Sequence, residues 1–280
     1  LLPLLGGFVG ADTTAVLLTL DEDDDNKERL IIDLGTNGEI AAVSGDTYCT
    51  ASAACGPALE GGNIACGVRG TEGAVEKIEI HSRGVSIKTI GGGTPLGICG
   101  SGIVDAVAGL MRNNIIDSTG RMCSRDEYMQ MNPYSKIGDN LTEIDGTNSF
   151  VIYEDKDRTI YVNQKDIRQI QLAKSSIYSG CAALLRACGK NAGDIYEVLV
   201  AGAFGNYINI ENAVYIGLLP GPASKIRAMG NGAGKGASMF LLDKSMREKC
   251  DKIAENATHM ELADNAVFAQ GFIDNINFKN

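Results

Sequence analysis

A chain of 280 residues and 29.5 kDa is long enough for one large domain or two lobes. At 44% hydrophobic and 21% charged residues it is neither a disordered tail, a collagen-like rod nor a coiled coil. A net charge of −10 and a pI of about 4.8 argue against nucleic acid as a partner, because that would call for a basic face.

The chain opens Leu1-Leu2-Pro3, and its first apolar stretch is broken by Pro3, Gly6 and Gly7. It is too short for a signal peptide or a membrane span and reads as a cut into a longer, cytoplasmic protein. Residues 11–20 are predicted as a helix packed by Ala15, Leu17, Leu18 and Leu20. The acidic segment 21–29 reads as a solvated loop. Residues 30–34 are an apolar run ending in Asp33-Leu34, followed by Gly-Thr-Asn-Gly and a second run from Glu39 to Val43, which spells strand, tight turn, strand. Residues 74–91 read as further strand, and 98–112 as a glycine-rich turn feeding a helix. Residues 113–150 are polar and irregular and 149–162 resemble a small hairpin, so 113–162 read as an insertion.

Residues 163–188 carry the clearest helical periodicity, with Ile167, Ile170, Ile177, Cys181, Leu184 and Cys188 on one face and Gly189 as a stop. A buried strand at 196–200 runs into Ala201-Gly202-Ala203-Phe204-Gly205 and a helix over 208–217. Another strand at 225–229 precedes Gly-Asn-Gly-Ala-Gly-Lys-Gly and a helix, and two more helices close the chain at 243–257 and 264–276. Strands alternating with helices through glycine turns indicate an α/β fold. The eight cysteines include no C-x-x-C pair and no zinc or iron–sulfur spacing, and are read as buried free thiols. Only His81 and His259 are present, which leaves little for a histidine metal site or a catalytic triad.

Glycine is in excess, 35 residues against 6 prolines, and it clusters where strands end or helices begin. There, unpaired backbone N–H groups and the helix dipole can meet an anion. Asp33 at a strand end suits a hydrated magnesium ion. Gly35 and Gly38 would let N–H groups face phosphate oxygens, with Thr36 and Asn37 adding donors; an ordinary Asn-Gly hairpin tip explains the same residues. Ser101 in Gly-Ile-Cys-Gly-Ser-Gly either caps the following helix or touches a ribose or phosphate. The small residues of 202–205 permit a flat ring to lie on the backbone, or simply make a tight turn. The glycines of 230–236 lack the phosphate-loop spacing and read better as a helix start packed closely on a neighbour.

Taken in order, IIDLGTNGEI, AGAFG and GNGAGKGA resemble the second half of an actin/Hsp70/sugar-kinase-type ATPase. With GGFVGADTTAVLL, ASAACGPALEGGNI, PLGICGSGIVDAV and VLVAGAFGNYINIENAVYIGLLP, the chain closely resembles the C-terminal ATPase region of the reductive activators of corrinoid proteins, over nearly its whole length. The resemblance implies an α/β fold, a ribonuclease H-like/actin-like ATPase lobe with a mixed sheet flanked by helices. All of 1–280 would then be the C-terminal part of that ATPase domain.

It also implies a function: ATP-driven return of a Co(II) corrinoid protein to Co(I) for methyl transfer, with the electron coming from an iron–sulfur cluster in a part of the family not represented here. A one-electron shortfall of about 200 mV amounts to roughly 5 kcal/mol, within reach of ATP binding and turnover. By residue, the resemblance makes Asp33 the Mg2+-side carboxylate and Gly35, Thr36, Asn37 and Gly38 the wrapping of the β- and γ-phosphates of ATP. Glu39 would orient water or point away. Gly202, Ala203, Phe204 and Gly205 would face the adenosine, with Ser101 a lesser contact. The implied partners are a corrinoid protein, either the iron–sulfur protein or a methyltransferase subunit, and a second copy in a homodimer. Two other readings stay open: a docking and dimerisation module that nucleotide merely switches, and a small-molecule kinase of the same superfamily.

Overall fold

Apolar runs and the glycine breaks between them order the computed structural model, which describes residues 1–20, 27–202, 205 and 207–278. The chain forms α1 (Ala11–Leu18), β1 (Arg29–Leu34), β2 (Asn37–Ser44), β3 (Thr47–Ala54), β4 (Ala74–His81), β5 (Gly84–Thr89) and β6 (Gly97–Ile98). There follow α2 (Gly100–Arg112), α3 (Arg125–Met131), β7 (Leu141–Ile144), β8 (Thr147–Glu154), β9 (Thr159–Asn163) and α4 (Gln164–Ala187). The remainder is β10 (Glu197–Ala201), α5 (Ile210–Tyr215), β11 (Ile226–Gly230), α6 (Gly232–Leu242), α7 (Ser245–Glu255), β12 (Ala257–His259) and α8 (Ala266–Asp274). Two units result, divided within α4: Leu1–Ala54, Ser176–Asn206 and Leu219–Asp274 make the first, and Cys55–Ser175, Tyr207–Leu218 and Asn275–Asn280 the second.

The first unit is built on a mixed sheet of order β11-β10-β1-β2-β3-β12. β1, β2 and β3 form an antiparallel meander, β10 runs parallel to β1, β11 parallel to β10, and β12 parallel to β3. β1 is apolar at almost every position because it lies mid-sheet with both faces covered. Ile31 joins Leu17 and Leu18 of α1 and Cys250 and Ile253 of α7 in one core cluster. Ile32 points the other way, and its cross-strand neighbour Ile40 meets α4, where a Cβ on Gly180 would stand 2.9 Å from Ile40 Cδ1. Helix α4 stops as predicted, with Gly189 at φ +70° just beyond it. The helix start at 230–236 is close-packed as the sequence suggests: a Cβ on Gly236 would overlap the carbonyl oxygen of Ala15 in α1.

Three sequence expectations change in this unit. Strands β3 and β12 were not foreseen, since Thr-Tyr-Cys-Thr-Ala-Ser-Ala-Ala holds small residues rather than an apolar alternation. The hairpin tip is Gly35-Thr36, while Asn37 and Gly38 already belong to β2, Gly38 lying opposite Leu34. Cys49 and Cys188 are not free thiols but a disulfide pair with Cα atoms 6.8 Å apart; the other six cysteines form no disulfide, and all but Cys66 are buried. The pairing arises because the end of α4 returns over β3, a neighbourhood that sequence spacing does not show.

In the second unit, α2 is buried along nearly its whole length and lies on β4. Gly109 allows this, since a Cβ there would come within 3.0 Å of Ile80. Separate three-stranded sheets have the orders β5-β4-β6 and β7-β8-β9. The stretch predicted as irregular is ordered by two local devices. Ser124 and Glu127 form a capping box at the start of α3. Asp145 and Gly146, at φ 51° and 67°, make the two-residue turn between β7 and β8. The hairpin predicted at 149–162 is the second half of that meander. In the first part of α4, Lys174 is wholly buried; its ammonium donates to the carbonyls of Asn275 and Asn277 and stands 5.3 Å from the Phe278 ring centroid.

Candidate functional site

Because β1, β10 and β11 are parallel neighbours, their C-terminal ends come together, with Asp33 beside Ala201 and Ala201 beside Gly230. Glycine turns leave from all three ends, which is where ligands sit in open α/β sheets. Gly202 has φ +92°, and a Cβ on it would stand 2.5 Å from Asp33 Oδ1. The turn after β10 therefore passes directly over the Asp33 carboxylate, and only glycine fits there. Gly205 closes the turn, donating its N–H to the Gly202 carbonyl at 3.1 Å. Ala203 and Phe204 lie outside the described residues.

Asp33 and Glu39 are directly opposed across β1 and β2, so their side chains share a face. That face is the one on which Ile31 and Ala41 reach the α1 cluster. Asp12, in the first turn of α1, adds a third carboxylate; its Oδ1 accepts the Thr13 N–H at 2.8 Å. Burial, reinforced by the negative charge of Asp12, pushes the Asp33 carboxyl up to about 6. Glu39 is pushed up to about 7, chiefly by burial, with Asp12 and Asp33 adding to it and a backbone hydrogen bond opposing. Crowded, half-buried acids of this kind favour a cation. Among the described residues no three His, Cys, Asp or Glu side chains converge closely enough to hold a metal ion by themselves. An all-carboxylate donor set would suit a hard, hydrated ion such as Mg2+ better than zinc, which prefers Cys and His ligands.

The structure gathers most of the residues singled out in the sequence. Asp33, Gly35, Thr36, Asn37, Glu39, Gly202 and Gly205 lie at one end of one sheet, with Thr36 and Asn37 exposed at the tip. Gly38 faces the other way, where a Cβ would stand 3.2 Å from Ile177 Cγ1 of α4; its lack of a side chain serves packing. Ser101 belongs to the second unit and does not cap α2, whose N-cap is Cys99. Its buried hydroxyl donates to the Glu76 carbonyl at 2.8 Å. Asp12 was missed, because an acid in the first turn of a helix is common and reads as complementing the helix dipole.

A three-stranded meander extended by two parallel strands, with an acid-bearing hairpin at the end of its first strand, defines an actin-like fold of the ASKHA class. The chain belongs to the family described as the C-terminal domain of RACo, the ASKHA domain, whose model matches residues 27–280. It is 45% identical over 281 residues to the corrinoid activation enzyme RamQ of Eubacterium limosum, covering 99% of this chain and 47% of that protein. It is 26% identical over 300 residues to the [Co(II) methylated amine-specific corrinoid protein] reductase of Methanosarcina barkeri, covering 99% of this chain and 51% of that protein. Among solved structures, a reductive activator for corrinoid, iron–sulfur protein superposes with a TM-score of 0.88 at 31% identity, over 99% of this chain and 44% of that one. The chain thus spans about half the length of the relatives it matches. Among the described residues no helix is long and apolar enough to cross a membrane.

Proposed function

We propose that this chain is the ATP-binding part of a reductive activator that returns a Co(II) corrinoid protein to Co(I), working in the cytoplasm. Its family membership and the names of its relatives support the class of activity. The observation that carries the nucleotide site is the acid cluster beneath the Gly202 turn. Asp33 would be the carboxylate that holds Mg2+, with Asp12 and Glu39 close enough to add negative charge around it. Such an ion, when bound, would supply neutralisation of phosphate charge. The exposed Thr36 and Asn37 side chains at the hairpin tip would face the phosphates, beside Gly35, whose N–H is bonded to the Asn37 carbonyl at 3.1 Å, and residues 202–205 would face the adenosine. Glu39, whose carboxylate shares the face of Asp33, takes a proton from the attacking water. Turnover shifts the activator between two conformations and so drives cobalt reduction. The corrinoid protein is the macromolecular partner, and a second copy of the activator completes a homodimer.

The test is Asp33→Asn in the full-length activator, which keeps size and removes charge. The expected result is loss of Mg2+-dependent ATP hydrolysis by at least about 100-fold, with binding to the corrinoid protein retained. Unchanged hydrolysis would reduce this chain to a docking module.

A further inference from the structure

We propose that Cys49 and Cys188 are a reversible thiol–disulfide site that locks the end of α4 to β3. Three observations carry it. First, the other six cysteines form no disulfide, and five of them are buried. A chain that leaves so many cysteines unbridged is not one stapled for an oxidising compartment, and at 280 residues its core needs no staple. Second, both residues are half-buried and line a cavity of about 320 Å³, together with Ser44, Glu28 and Lys190. A small thiol can therefore reach the sulfur atoms. Third, the crosslink has a mechanical consequence. Ser176 Oγ already ties the upstream part of this helix to the Ala54 carbonyl at 2.9 Å. Cys188, one residue beyond the helix, adds a second tie to the same strand at Cys49. Between these ties lie Ile177 over Gly38 and Gly180 over Ile40, the contacts through which α4 supports the β1–β2 hairpin.

The chemistry balances with a low-molecular-weight disulfide as oxidant. One thiolate of the pair attacks that disulfide, giving a mixed disulfide and releasing one thiol. The second cysteine thiolate then displaces the remaining thiol. Two protons and two electrons leave the protein, and the oxidant is reduced to two thiols. Excess thiol reverses the sequence. Oxidised, α4 is held against β3 at its middle, through Ser176, and just beyond its C-terminal end, through Cys188; reduced, its final turns are free to shift with the hairpin.

The effect on nucleotide rests on the proposed ATP site, whereas formation of the bond does not, so the experiment reads them separately. The full-length protein is equilibrated in mixtures of reduced and oxidised glutathione, alkylated and mapped by peptide mass spectrometry. A Cys49–Cys188 crosslinked peptide should appear and vanish reversibly across the series, while Cys55, Cys99, Cys123, Cys181 and Cys250 stay uncrosslinked throughout. Cys49→Ser and Cys188→Ser should each abolish the crosslink and leave the far-UV spectrum unchanged. ADP affinity, measured by calorimetry, should differ at least about threefold between oxidised and reduced protein and not at all in either serine variant. Cysteines 49 and 188 alkylated separately in every mixture, or a crosslink that excess reduced glutathione cannot open in the native protein, would overturn the site. A reversible crosslink with identical ADP affinity in both states would overturn the locking role, and loss of ADP binding in both states would count against the nucleotide site instead.

Discussion

Asp33 illustrates how far burial and a neighbouring acid shift a single carboxylate. Moving from its ordinary 3.8 to about 6 corresponds to roughly 2–3 kcal/mol of disfavoured charge in the folded state. The sign is that of a raised acid. Below about pH 3 both folded and unfolded chains are protonated and the group costs nothing. As pH rises towards 6 the unfolded chain ionises first, and stability falls. Above about pH 7 the full penalty is present. Asp33→Asn should therefore raise the free energy of unfolding by about 2 kcal/mol at pH 8 and by almost nothing at pH 3, read from urea denaturation in the absence of nucleotide and Mg2+. A variant that is less stable at pH 8 would contradict the crowded-acid account. Glu39 extends the window upward, to about 7, in the same direction. The place of Asp33, an acid at the end of an apolar strand, was legible in the sequence. Asp12 was not, because its approach to Asp33 and Glu39 depends on α1 lying over β1, not on any spacing along the chain.

At the scale of elements, helix contacts decide what the glycines do. In α6, Gly236→Ala would gain about 1 kcal/mol of helix propensity. The added methyl would overlap a backbone oxygen of Ala15, which cannot swing aside, and overpacking of that kind costs about 1–3 kcal/mol. The contact outweighs the propensity: thermal unfolding should show net destabilisation and separation of α6 from α1. Helix α4 offers a second test. Lys174→Met keeps the bulk and removes the ammonium that donates to the carbonyls of Asn275 and Asn277. The expected cost is about 1–3 kcal/mol, with faster amide exchange at Phe278, whose N–H is bonded to the Ser118 carbonyl at 2.8 Å. Exchange unchanged there would show that Lys174 does not hold the tail. The existence of α4 was readable over two dozen residues of periodicity. That its Lys174 is buried was not, since a lysine in a helix is normally a solvated one.

For the molecule as a whole, the proposed reaction needs an electron as well as a nucleotide. This chain matches about half of each relative. We expect these 280 residues alone, mixed with a Co(II) corrinoid protein, ATP and a reductant, to leave the cobalt absorption spectrum unchanged. The full-length activator should bring up the Co(I) band. Efficient ATP turnover or Co(I) formation by this chain alone would refute that division of labour.

The β1–β2 hairpin, the main helices, the acid at the end of the first strand and the glycine breaks could be read from the chain, because periodicity, apolar runs and turn chemistry act over a few residues; β3, β12 and the elements between 113 and 150 could not. Short devices such as the Asp145-Gly146 turn were equally local and went unread only amid polar surroundings. The fold alone decided that Asp12 joins Asp33 and Glu39, that Gly38 serves α4, that Ser101 is spent on β4, and that Cys49 meets Cys188. Each of these is a contact between segments that the chain brings together only by burying its apolar faces, and the cost and direction of such burial belong to the whole sheet and its helices rather than to any stretch of sequence.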